Sequence, residues 1–111
     1  MANEDRLRGL LGLCQRAGKM QSGADQVLNA IRSGSCRLAL IDQAAAQNTV
    51  KKVTDACIYY HVPHAFVPEG LLGEATGRDG RITAAVTDAG FAGRIGELAE
   101  HNDLRYPTYD K

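Results

Sequence analysis

Leu38-Ala39-Leu40-Ile41 is a continuous apolar run with no polar residue to face water, and the segments on either side of it carry apolar residues at helical spacing. Successive side chains of a strand point to opposite faces, so such a run must be covered on both. It therefore requires a sheet with helices packed above and below, and the rest of the chain has the patterns to supply them.

From Glu4 to Ala17, the residues Leu7, Leu10, Leu11, Cys14 and Ala17 recur every three or four positions, which predicts a first helix with one apolar stripe, stopped by Gly18. Ser22 is placed to cap a second helix, with Asp25 three residues on, Val27, Leu28 and Ile31 facing inward and Gly34 as the stop. Between these helices Lys19-Met20-Gln21 has room only for a short extended piece. Asp42 to Thr49 is polar and turn-like. A third helix is expected from about Asn48 to Tyr60, with Val50, Val53, Cys57 and Tyr60 on one face and Pro63 preventing its continuation. Ala65-Phe66-Val67 reads as a strand, Pro68-Glu69-Gly70 opens a short helix through Leu71, Leu72 and Ala75, and Gly77 to Arg81 reads as an exposed loop. Ile82 to Val86 is the next strand. Thr87-Asp88 is placed to cap a last helix whose inner stripe is Phe91, Ile95, Leu98 and Ala99. This order predicts an α/β fold, a three-layer α/β/α sandwich.

At 111 residues the chain is one domain, with a folded core expected over about 4–101 and an aperiodic tail over 102–111, expected to be mobile. No window approaches the ~18 consecutive apolar residues of a membrane span, and the charged start, Met1 to Leu11, is unlike a secretory leader, so a cytoplasmic protein with no membrane partner is expected. Three widely spaced cysteines, Cys14, Cys36 and Cys57, suit neither a disulfide framework nor a zinc knuckle and are expected to be buried thiols. Thirteen basic residues balance thirteen acidic ones, but residues 1–37 carry six bases against three acids, and residues 67–111 carry eight acids against five bases. The asymmetry fits either one basic face or ordinary solvated charge.

The sequence offers little to catalysis. His61 and His64 lack the four-residue helical spacing that lets two imidazoles grip one metal, so no metal is expected. There is no glycine-rich phosphate loop of either nucleotide-binding kind, so no cofactor is expected. Cys14 lies on the apolar stripe, where a thiol packs and does not attack. The richer segment is the corner leading into the second helix. Arg16 and Lys19 bring positive charge, Gly23 lets another backbone come close, and a helix start attracts phosphate. Asp25 and Asn29, four apart, share a helical face with Gln26 beside them, so three polar side chains could meet base edges. The same residues also fit a capped, solvated helix start.

The run LLGLCQRAGKMQSGADQVLNAIRSGSCRLALIDQAAAQNTVKKVTDACIYYHVPHAFVP, followed by LLGEATGRDGRITAAVTDAGFAGRI, resembles the ribosomal protein L7Ae/L30e family, and most of all its small bacterial stand-alone members. The likeness spans about residues 6–99. It implies an L30e-like sandwich with a small mixed central sheet, and binding to kink-turn RNA, a sharply bent helix–bulge–helix element with tandem sheared G·A pairs. Carried over, the first RNA-binding surface is Gly23, Ala24, Asp25, Gln26 and Asn29, with Lys19 nearby, beside the Arg16 that the corner itself offers; the second, which covers the bulge, is Gly77, Arg78, Asp79, Gly80, Arg81 and Ile82. Bent RNA is read by shape, phosphate contacts and extruded bases, which asks for no catalytic group.

Kink-turn binders of this family resemble Gly-x-Asn-Glu-x-x-Lys at the first surface, where this chain has Gly23-Ala24-Asp25-Gln26-Val27-Leu28-Asn29. An ionised Asp25 only accepts hydrogen bonds and repels phosphate, and Asn29 carries no charge to meet the backbone, whereas Gln26 can both donate and accept. The resemblance thus implies a non-catalytic, monomeric, ribosome-associated RNA-binding protein, and these departures an altered or weaker kink-turn preference. The alternative is a protein-interaction module that keeps the fold and has lost RNA affinity; an α/β enzyme acting on a nucleotide or RNA base ranks third.

Overall fold

A computed structural model describes residues 2–78 and 80–101. The elements follow one another as α1 (Ala2–Arg16), β1 (Met20–Ser22), α2 (Ala24–Ser33), β2 (Leu38–Asp42), α3 (Gln47–Tyr60), β3 (His64–Val67), α4 (Leu71–Thr76), β4 (Thr83–Val86) and α5 (Ala89–His101). The expected tail at 102–111 and Asp79 lie outside the described residues.

The four strands form one mixed sheet in the order β1-β4-β2-β3. β4 lies antiparallel to both β1 and β2, and β2 lies parallel to β3. All five residues of β2 and all four of β4 are buried, as central strands covered on both faces require. Alternation splits their side chains between two cores. Leu38, Leu40, Ala84 and Val86 join Leu7, Leu11 and Cys14 of α1, Leu71 and Leu72 of α4, and Ile95 and Ala99 of α5. Ala39, Ile41 and Ala85 join Val27 and Ile31 of α2 with Val53 and Cys57 of α3. The α/β/α sandwich read from the sequence is therefore the observed architecture, with α1, α4 and α5 on one face and α2 and α3 on the other.

Helix ends follow the expected chemistry in places. Gly34 closes α2 in the left-handed conformation, its N–H directed at the Ala30 and Ile31 carbonyls. The Asp88 carboxylate accepts the Phe91 N–H at 3.0 Å and so caps α5. Three expectations need correction. Ser22 does not cap α2: it is the last residue of β1, paired with Ala84, and Gly23 is the N-cap with no side-chain bond. Tyr60 is 42% exposed, whereas Val53 and Cys57 of the same expected stripe are buried. Ala17 lies beyond the end of α1 and is exposed.

Candidate nucleic-acid interface

Strand register gathers the loops at one end of the sheet. Ser22 pairs with Ala84, Ile41 with Thr83 and Asp42 with Val67, so the last residues of β1, β2 and β3 lie at the same end of the sheet as the first residues of β4. The starts of α2, α3 and α4, together with the 77–82 loop, therefore share that end. Neither Gly23 at the head of α2 nor Ala46 at the head of α3 makes a side-chain cap, which leaves first-turn N–H groups directed outward.

Gly23 turns the chain from β1 into α2 at φ 102, ψ 144, a conformation that side chains with a Cβ rarely adopt. Its N–H donates to the Thr83 carbonyl at 3.2 Å and its carbonyl accepts the Val27 N–H at 2.9 Å. Lack of a Cβ has a second consequence here. A Cβ on Gly23 would stand 2.9 Å from Arg81 Nη1 and 3.8 Å from both Arg81 Cζ and Gln26 Cγ. The Arg81 guanidinium thus lies across the first turn of α2, beside Gln26. Gly23 and Arg81, fifty-eight residues apart in the sequence, are brought together in space, and with them the start of α2 and the 77–82 loop.

Around this contact Ala24, Asp25, Gln26 and Asn29 are exposed on α2, opposite the buried Val27, Ala30 and Ile31. In the loop, Gly77, Arg78 and Gly80 are exposed and Arg81 and Ile82 are half-buried. The Arg78 N–H donates to the Gly73 carbonyl at 3.1 Å and the Arg81 N–H to the Arg78 carbonyl at 3.4 Å, which folds the loop back on α4. Asp79 is outside the described residues. Cationic groups, amides and outward backbone N–H groups in one surface can meet phosphates and base edges.

Arg16 and Lys19 are placed elsewhere. Lys19 precedes β1, at the other end of the sheet, where its carbonyl accepts the Thr87 N–H at 2.9 Å and the Thr87 hydroxyl at 3.2 Å. The extended chain from Lys19 to Gly23 spans roughly 13 Å. Arg16 ends α1, on the opposite face of the sheet from α2, and its Nη1 lies 3.5 Å from where a Gly12 Cβ would stand, so its side chain runs back along α1.

Sequence reasoning missed Gln43, Gln47 and Asn48, exposed at the end of β2 and the start of α3 and so on the same end of the sheet as Gly23. Three consecutive alanines, Ala44, Ala45 and Ala46, between these polar residues were the available signal for a segment whose backbone can be approached closely.

The three cysteines are buried. Burial raises the Cys14 and Cys36 thiols to about 11 and the Cys57 thiol to about 12, where they stay protonated at neutral pH. Burial lowers His64. Among the described residues no group of three or more His, Cys, Asp or Glu could hold a metal ion, and no helix is long and apolar enough to cross a membrane. A groove of about 720 Å³ between α3 and α5 opens at the far end of the sheet, beside Leu38, Pro63 and His64, remote from Gly23.

Residues 5–95 match the Ribosomal protein L7Ae/L30e/S12e/Gadd45 family. The chain is 45% identical over 92 residues to the RNA-binding protein YlxQ of Bacillus subtilis (strain 168), covering 82% of this chain and 92% of that one. It is 32% identical over 99 residues to the RNA-binding protein YlxQ of Enterococcus faecium, covering 88% and 95%. Among solved structures, a protein of unknown function from Bacillus halodurans C superimposes with a TM-score of 0.81 at 34% identity, over 85% of this chain and 96% of that one. A Giardia lamblia 15.5 kD RNA binding protein superimposes with a TM-score of 0.74 at 20% identity, over 93% and 89%, a likeness of fold.

Proposed function

The chain belongs to the Ribosomal protein L7Ae/L30e/S12e/Gadd45 family, and from that premise we propose that it is a non-catalytic RNA-binding protein that recognises kink-turn or similarly bent RNA through the start of α2 and the 77–82 loop. The observation that carries this reading is the Arg81 guanidinium lying over Gly23, which makes the two loops one continuous surface. A bent duplex presents two strands at an angle, and a reader needs two elements fixed relative to each other; a straight duplex offers no such pair of surfaces. Gln26 and Asn29 supply donors and acceptors for base edges, and Arg78 and Arg81 supply charge for phosphates. Names of the two YlxQ relatives support RNA as the partner.

In this reading the protein acts as a cytoplasmic monomer on ribosomal or other structured RNA. Three buried thiols suit a reducing compartment. Amide chemical-shift mapping with a kink-turn hairpin tests the assignment of the face. Shifts clustered over residues 23–29 and 78–82, with Arg16 and Lys19 unmoved, are expected; shifts clustered at the groove between α3 and α5 would overturn it.

A second reading, a protein-interaction module with the family fold, is favoured by Asp25 and Asn29. Ala24, Asp25, Gln26 and Asn29 put no cation on the exposed face at the start of α2. A partner protein that copurifies after nuclease treatment would favour it.

A further inference from the structure

Asp42 ends β2 and is only 3% exposed, which leaves its carboxylate to the protein's own donors. The carboxylate makes two bonds to backbone donors in two different loops. Oδ1 accepts the Ala44 N–H at 2.6 Å, in the connection from β2 to α3, and Oδ2 accepts the Gly70 N–H at 2.9 Å, at the head of α4. Its main chain reaches a third segment: the Asp42 N–H donates to the Ile82 carbonyl at 2.8 Å. A carboxylate accepting backbone N–H bonds in a buried place holds them more strongly than a neutral acceptor does.

The next residue along completes the relationship. Ile82 is tied to Asp42 on one side, and Thr83 is tied to Gly23 on the other, so the end of the 77–82 loop is clasped between β2 and the start of α2. The other end of that loop leaves α4 at Gly77, and α4 begins at Gly70, which Asp42 holds. Both ends of the loop that carries Arg78 and Arg81 are therefore referred to one residue, the Ile82 end through the Asp42 main chain and the Gly77 end through its side chain and α4.

We propose that Asp42 is a positioning residue for RNA recognition: its carboxylate holds the head of α4, whose far end opens the 77–82 loop, and the β2–α3 connection against the end of β2, and thereby sets the preference for bent over straight RNA. The proposal rests on the RNA-binding reading above. It separates geometry from charge. Loosening the clasp leaves every cation and amide of the face in the protein and changes only their spacing, so contacts that any duplex satisfies persist while those that need two surfaces at a set angle are lost.

The test uses the full chain with Asp42→Asn, an almost equal-sized side chain whose amide oxygen can accept one of the two bonds but whose NH2 must then face the second N–H. Affinities are measured for a kink-turn hairpin with tandem G·A pairs and for a straight duplex of equal length, over a series of salt concentrations. Ile95→Val, in the core between the sheet and α1, α4 and α5, serves as a variant that lowers stability without removing any loop hydrogen bond. Asp42→Asn is expected to weaken hairpin binding about tenfold, with duplex affinity and the salt slope within about twofold of the parent, while Ile95→Val leaves the hairpin-to-duplex ratio unchanged. A folded Asp42→Asn protein with the parent's ratio, or an equal drop in Ile95→Val, would overturn the positioning role and leave the RNA reading standing. A parent protein with no preference for the hairpin would overturn both. Hydrogen exchange on the unsubstituted protein decides the matter if Asp42→Asn does not fold: the Ala44 and Gly70 amides are expected to exchange at least about a hundredfold more slowly than free amides, and exchange at the free rate would overturn the clasp.

Discussion

Arg81 Nη1 lies 2.9 Å from the point where a Cβ on Gly23 would stand. That space exists only because residue 23 is a glycine, and it lets a side chain from the 77–82 loop cross the first turn of α2. Gly23→Ala is expected to act in two ways. The backbone at φ 102 is strained for any L side chain, at a cost of roughly 1–3 kcal/mol in stability. The guanidinium, the far end of a flexible side chain, must also swing away. Thermal denaturation reads the first effect, and a loss of RNA affinity beyond that of an equally destabilised core variant reads the second.

Removing the charges separates the two ends of the sheet. Arg81→Ala and Arg78→Ala are expected to weaken RNA binding across sequences and to lower the slope of log affinity against log salt by about one each. Lys19→Ala is expected to change affinity by less than about twofold, because Lys19 lies at the other end of β1 from Gly23. Salt-dependent titrations of the three variants decide the point, and a Lys19→Ala effect as large as that of Arg81→Ala would move the interface.

Gln26 tests reading as opposed to attraction. Its amide can donate to and accept from base edges, and it carries no charge for the phosphates. Gln26→Ala is expected to reduce hairpin affinity with an unchanged salt slope and an unchanged affinity for straight duplex. Equal losses on both RNAs would show that Gln26 packs and does not read.

Burial gives a pH dependence with a definite sign. His64 is lowered in the folded chain below its ordinary value of 6.5, so the unfolded chain binds the proton more readily. The contribution of the neutral imidazole is complete above pH 6.5 and is lost as pH falls from there through the folded value. Melting temperature is expected to drop on going from pH 7.5 to 5.5, and to drop less in His64→Gln. The three thiols give a parallel test: held at about 11 to 12 by burial, they are expected to resist alkylation at pH 8 until the chain unfolds.

The contrast between α2 and β1 explains what the sequence made legible. Val27, Leu28, Ile31 and Gly34 announce α2 because helix spacing and a glycine stop are local properties, and the continuous run of β2 announces a doubly covered strand for the same reason. β1 has three residues and no pattern of its own; it exists because β4 pairs with it, a partner more than sixty residues away. The errors at the site come from that pairing. Ser22 looked like a helix cap until β4 paired with its backbone, and Lys19 looked adjacent to Gly23 until the strand between them was extended. The role of Asp42 was hidden likewise, since its second partner, Gly70, lies twenty-eight residues away. Nothing in the local sequence distinguishes it from an ordinary turn residue.

One surface, built from the start of α2 and the 77–82 loop, is expected to prefer bent RNA. Binding of the purified protein to a kink-turn hairpin and to a straight duplex of equal length, at low and at moderate salt, tests it most directly. Tighter binding to the hairpin by about tenfold or more is expected, with the difference persisting as salt rises. Equal weak binding to both RNAs that vanishes as salt rises would contradict it and leave the protein-interaction reading in its place.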